Sequence, residues 1–228
     1  MIAIAHPKFR EQLMAKAKEC KYLFEDQVIP EGAVYPVEVE HEREFGGLRL
    51  FIRPVKPSDE RLMQEHLYHL SERSVYLRFF QNVTEFGREI TRDMVAVDYK
   101  ERFGIVATIG AADAERIVAS AHWRLDVDEN MAEVTTSVAD EFQQRGLGQY
   151  MSHLLLRLAR ERGIKGFRAY TLVENEATRR IFEREARESD SALHTIYDAG
   201  LIRMWFRFGE KAEDAPPSTC SDPLLRSG

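Results

Sequence analysis

The chain has 228 residues, 44% of them hydrophobic, which suits one substantial domain with appendages and its own core. With 32 basic and 38 acidic residues the net charge is −6, which gives no reason to expect nucleic acid as a partner. The two cysteines, Cys20 and Cys220, allow neither a disulfide framework nor a zinc spacing and fit a reduced, cytoplasmic protein; no apolar run nears membrane-spanning length, and Met1-Ile-Ala-Ile-Ala is too short for a signal peptide.

Residues 1–27 read as an N-terminal helical segment. Phe9, Leu13, Ala17 and Cys20 recur at intervals of three and four, and Pro7 suits a helix start. Residues 28–47 read as a linker: Pro30, Gly32 and Pro36 interrupt them, Glu38, Glu40, Glu42 and Glu44 charge them, and Gly46-Gly47 closes them. An extended arm is allowed at 34–39.

Residues 48–208 read as the domain. Leu48, Leu50 and Ile52 alternate with Arg49, Phe51 and Arg53, a strand pattern. Pro57-Ser58-Asp59 then opens helices, the first running through Leu62, His66, Leu67 and Leu70. His66 and His69, three apart and without a third ligand, are expected at the surface. Residues 104–109, 117–125 and 133–138 read as three strands, the last two joined by a turn-rich link. Met151, Leu154, Leu155 and Leu158 make one helix face, and Gly163 ends that helix. A strand at 167–173, a helix at 175–187 and strands at 192–197 and 202–208 complete the order. Residues 209–228, with Ala-Pro-Pro-Ser-Thr and few apolar side chains, are expected to be a disordered tail.

The stretch from Val138 through Gly148 joins a strand to a helix by a glycine-bearing turn. A helix start carries partial positive charge and free amide donors, which together hold phosphate. Gln143-x-x-Gly146-x-Gly148 resembles the coenzyme A loop of the GNAT acetyltransferase superfamily. Walker A and dinucleotide spacings are not met, since no Lys-Ser or Lys-Thr follows and Met151 stands where a third glycine would. Arg53-Pro54 with Asp59 resembles the usual GNAT entry into the first helix. Leu70-Ser71-x-x-Ser74-x-Tyr76-Leu77-Arg78-Phe79-Phe80, with Asp98-Tyr99, resembles the Pat-type protein-lysine acetyltransferases, which act on acyl-CoA ligases. Glu174-Asn175 with Phe182 resembles the last GNAT helix.

The resemblance implies an α+β, layered GNAT fold with a central mixed, mostly antiparallel sheet flanked by helices. It implies acetyl-CoA as co-substrate, no metal, and an amine acceptor, preferably a protein lysine. It implies Glu133 as general base. Position alone makes Glu133 an ordinary solvent-facing strand residue, and partial burial would make it the better base. It further implies that the Val138 backbone and Asn175 bond the pantetheine arm, and that backbone donors of Gln143, Gln144, Arg145, Gly146, Leu147 and Gly148 hold pyrophosphate. Arg145 adds charge or is an exposed structural arginine. Asn175 is equally explained as a helix cap. Tyr76 and Arg78 would shape the acceptor groove. His122-Trp123 would line it or simply pack.

Two departures stand out. Many GNAT enzymes have a tyrosine to protonate the leaving thiolate where Phe182 stands. The Gly-Phe pair that often ends the next helix is missing, which leaves the pairing of the last two strands open. Residues 2–23 resemble the C-terminal end of acetyl-CoA hydrolases and CoA-transferases, which implies a fused transferase as partner; read alone, they are an ordinary helix. Two rival functions remain: a non-catalytic acetyl-CoA sensor of such a fused enzyme, and an acetyltransferase of small-molecule amines.

Overall fold

A computed structural model describes residues 7–22, 34–110 and 114–211. Helix α1 covers Pro7–Glu19, matching the apolar spacing that begins at Phe9. Eight strands then form one sheet: β1 (His41–Phe45), β2 (Leu48–Pro54), β3 (Arg102–Ile109), β4 (Arg116–Asp126), β5 (Met131–Val138), β6 (Gly166–Leu172), β7 (His194–Asp198) and β8 (Leu201–Arg207). Their spatial order is β1-β2-β3-β4-β5-β6-β8-β7. Every neighbouring pair is antiparallel except β5 with β6. The expected layered α+β fold with a mixed, mostly antiparallel sheet is therefore the observed one. The last two strands pair along their length despite the missing Gly-Phe.

The helices divide between the two faces. Helix α5 (Leu147–Glu161) crosses β4 and β5, burying Leu147, Met151, Leu154, Leu155 and Leu158. The expected face is complete, and Gly163 follows it in a left-handed conformation. Helix α6 (Glu176–Glu188) lies beside α5 and buries Phe182 and Ala186. On the other face α2 (Glu60–Tyr68) packs on β4, with α4 (Arg88–Val95) against α2 and α3 (Glu72–Phe79) against β5. The sequence pattern delimits neither α3 nor α4, each of which has only two turns and few buried positions.

Residues 41–45, expected within a linker, form β1, paired with β2 from His41↔Ile52 to Phe45↔Leu48. Phe45 and Val39 enter the main core. The strand was hidden because His41-Glu42-Arg43-Glu44 is polar throughout. That composition suits a sheet edge, where charge discourages pairing with another chain. Of the expected disordered tail, residues beyond 211 lie outside the described ones, as do residues 1–6 and 23–33 of the first two segments.

One buried ion pair locks α2 to the sheet. Arg53, at the end of β2, grips Asp59 through Nη1 and Nη2 at 2.7 and 3.0 Å, and its Nε donates to Glu115 at 3.1 Å. Arg53 and Asp59 are both buried. Removing one partner strands a buried charge, at a cost of about 3–5 kcal/mol. Asp59→Ala should therefore lower unfolding stability by that amount in a urea titration. Glu176→Ala, which breaks an exposed α6 pair with Arg180, should change it by less than about 0.5 kcal/mol. Similar losses in the two variants would contradict this assignment.

Candidate active site

The parallel ladder between β5 and β6 is short. It holds Met131↔Gly166, Ala132↔Phe167 and Glu133↔Arg168, then stops. Beyond it β5 stays with β4 as far as Val138, while β6 stays with β8 as far as Leu172. The strands part, and backbone groups of β5 after Glu133 face a wedge. A cavity of about 390 Å³ occupies it, lined by Thr135 and Thr136 of β5, Tyr170 of β6, Ser152 of α5 and Phe182 of α6. Arg78 reaches it from α3. Glu133 and Asn175 also line it; Val138 and Gln143 to Gly148 do not, and lie at and beyond the far end of β5.

The turn after β5 is held rigidly. Asp140 accepts hydrogen bonds from the Ser71 backbone and hydroxyl and from the Ser74 hydroxyl, at 2.7–2.8 Å, tying the turn to the start of α3. The Gln143 amide donates to Ser74 Oγ and to the Val138 carbonyl, both at 3.1 Å, so its side chain braces the turn. Gln144 and Gly146 take left-handed conformations, with φ of 58° and 78°. Glycine is the low-strain choice at the second of these, where it caps α5. A Cβ on Gly148 would sit 3.3 Å from Val138 Cγ2, so that glycine keeps α5 close to β5. The backbone amides from Gln144 to Gln149 donate no hydrogen bond within the described residues. They form a donor-rich, positive helix start, the kind of feature at which anions bind in proteins.

Four of the residues singled out in the sequence have structural duties. The Arg145 side chain packs on Gly46 and on the Phe142 ring, away from the wedge. Leu147 is fully buried, so only its backbone faces outward chemistry. Asn175 caps α6, its side chain accepting from the Thr178 amide at 3.2 Å. Phe182 is buried at the wedge against Phe206 and offers no proton.

A second cavity, of about 150 Å³, opens on the α3/α4 side of β5. It shares Arg78, Glu133 and Thr135 with the first. Arg78 donates to Thr135 Oγ1 at 3.1 Å. Burial pushes its guanidinium down to about 10, against the opposing pull of the Glu133 charge. His122 lines this cavity, with its Nε2 buried and lacking a protein partner.

His66 is not at the surface. It is fully buried, and its Nε2 lies 2.8 Å from Ser137 Oγ, which lies 2.9 Å from Ser120 Oγ. The expectation failed because α2 turns this position onto the sheet, where a polar partner on β5 offsets burial. His153, Glu185 and Glu188 bring ligand atoms within 4.8 Å of one another, but Gln149 and Arg184 already occupy the two carboxylates. Among the described residues no helix is long and apolar enough to cross a membrane.

A profile of the Acetyltransferase (GNAT) domain family matches residues 49–185. The chain belongs to the GNAT acetyltransferases. Acetyltransferase Pat of Mycolicibacterium smegmatis is 34% identical over 139 residues, 59% of this chain and 40% of that protein. The GNAT chain thus spans well under half of that relative's length. Acetyltransferase PA5475 of Pseudomonas aeruginosa is 21% identical over 66% of this chain and 84% of its own. Among solved structures, the GNAT domain of S. lividans PAT superposes with a TM-score of 0.67 at 24% identity, covering 76% of this chain and 99% of that one. The yncA protein of Salmonella typhimurium, solved with its cofactor acetyl-CoA, gives 0.54 at 16% identity, over 75% and 99% of the two chains.

Burial pushes His66 down to about 4 and His122 down to about 3, so both are neutral in the fold. Unfolded, each titrates near the ordinary value of about 6.5. Between those values the unfolded chain binds more protons, so stability rises with pH and falls as pH drops below about 6.5. Each histidine contributes at most about 1.4 kcal/mol per pH unit. Unfolding stability should therefore decline from pH 6.5 to 5, and His122→Asn should flatten that slope. An unchanged slope would contradict a neutral His122.

Proposed function

We propose that this GNAT domain transfers an acetyl group from acetyl-CoA to the amine of a protein lysine, directly, in a complex holding both substrates. The observation that carries this reading is the meeting of two cavities at Glu133. The larger lies in the strand wedge that leads toward the free amides before α5. The smaller opens on the opposite face of β5. An acyl donor threaded along the first and an amine entering by the second would meet beside one carboxylate. The likeness to acetyltransferase Pat of Mycolicibacterium smegmatis and the Pat-like residues of α3 support a protein acceptor.

Each chemical demand has a residue to meet it. A lysine amine is mostly protonated at neutral pH, with an ordinary value of about 10.4, and must lose its proton to attack. Glu133 accepts that proton, directly or through one water. Backbone donors on the unpaired edge of β5, toward Val138, bond the pantetheine arm and polarise the thioester carbonyl. The free amides of Gln144 to Gly148 hold the pyrophosphate, with Asn175 fixing the near end of α6 beside the arm; the expected Gln143 amide is already given to the Asp140 carbonyl at 3.2 Å. Phe182 lends shape only. A thiol near about 8.5 is a tolerable leaving group, so solvent can supply its proton.

Glu133→Gln keeps size and hydrogen bonding but removes the basic group. It should lower kcat for labelled acetyl transfer to a lysine substrate by roughly 10²–10³-fold, while CoA affinity stays within about threefold of the parent. Retained turnover would remove Glu133 from the base role. Tight CoA binding without transfer to any protein or amine would favour an acetyl-CoA sensor.

A further inference from the structure

One rung of the sheet carries an unusual row of charges. The registers place Arg102 of β3 opposite Arg124 of β4, Arg124 opposite Glu133 of β5, and Glu133 opposite Arg168 of β6. Residues paired in this way point to the same face. Arg168 is occupied by Asp126 and Glu129, at 2.9 and 3.2 Å. Arg102 reaches Asp93 of α4 at 2.7 Å through a pair that stays partly open to solvent. Arg124 is exposed, and among the described residues its side chain makes no ion pair or hydrogen bond.

Two arginines directly opposite one another weaken a sheet. Packing gives no compensation for the exposed Arg124. Both arginines line the smaller cavity, together with Arg78, Asp93 and Glu133. Three positive groups there face two negative ones, and Arg78 is turned inward to Thr135. A bare polyamine would bring several positive charges to a mouth that is already positive. A lysine between carboxylates would bring one ammonium to Glu133 and negative charge to the two arginines.

We propose that Arg102 and Arg124 form an acceptor-reading rim that selects lysines flanked by acidic residues. The inference rests on the protein-lysine reading above and narrows its substrate class. Glu133 meets the amine, and the two arginines meet carboxylates on either side of it. Asp93 competes for Arg102 and so tempers the preference.

The test compares three lysine peptides of equal length, flanked by glutamate, alanine or arginine, with the full chain and acetyl-CoA at low ionic strength. The glutamate peptide should exceed the arginine peptide in kcat/KM by roughly fivefold or more, and added salt should shrink the gap. Arg124→Glu should invert the order, and Asp93→Asn should widen the original preference. Equal rates for the three peptides, or an order unmoved by Arg124→Glu, would overturn the rim while leaving lysine acetylation intact. Failure to acetylate even the alanine peptide, in protein that binds CoA, would instead overturn the lysine reading itself and the rim with it.

Discussion

The site depends on a ladder that stops. Three register pairs, ending at Glu133↔Arg168, are all that joins β5 to β6, and they join the two halves of the sheet. Gly166 lets the strands come this close: a Cβ there would lie 2.2 Å from the Phe206 carbonyl oxygen and 2.9 Å from the Met131 sulfur. Past Glu133 each strand is committed to its outer neighbour. β5 has eight partners on β4 and β6 has seven on β8, so neither can close the gap. Backbone donors and acceptors that a continuous sheet would consume are left facing a cavity. An unmet backbone group is costly when dry, so such an edge favours a ligand that carries amides of its own.

The surrounding structure holds that gap open and shapes it. Helix α5 closes one face and α6 caps the outer end, with Phe182 turned into the wedge. On the opposite face, α3 brings Arg78 to Thr135 and is fastened by Asp140, Ser71 and Ser74 to the turn that precedes α5. One small hydrogen-bonded cluster thus positions both the donor-rich start of α5 and the helix beside Glu133. The buried Arg53–Asp59 pair anchors the start of α2, the next layer out. The wedge and the smaller cavity are therefore parts of one frame rather than of separate lobes.

Much of this was legible in the sequence where local rules apply. The α5 face, its glycine stop, the alternation of β2 and the turn before α5 follow from spacing and from what glycine permits. The charged β1 escaped because an edge strand need not alternate, and α3 and α4 because two-turn helices bury too few residues to set a period. His66 was misplaced because its Ser137 partner is 71 residues away. The end of the β5–β6 ladder leaves no mark in either strand's own pattern, since it arises from pairings to β4 and β8. For the same reason the Arg102–Arg124–Glu133 row is invisible along the chain; only register assembles it. Glu133 was proposed from family likeness, and the sequence alone offered no way to see that two cavities would share it.

The most direct test of the central claim is amide hydrogen exchange with and without coenzyme A. Binding in the wedge predicts new protection at amides within residues 134–138 and at 144–149, with little change at 131–133, where the β5–β6 ladder already exists. Protection confined to other surfaces, with the edge of β5 exchanging as before, would contradict the assignment of the wedge as the donor site.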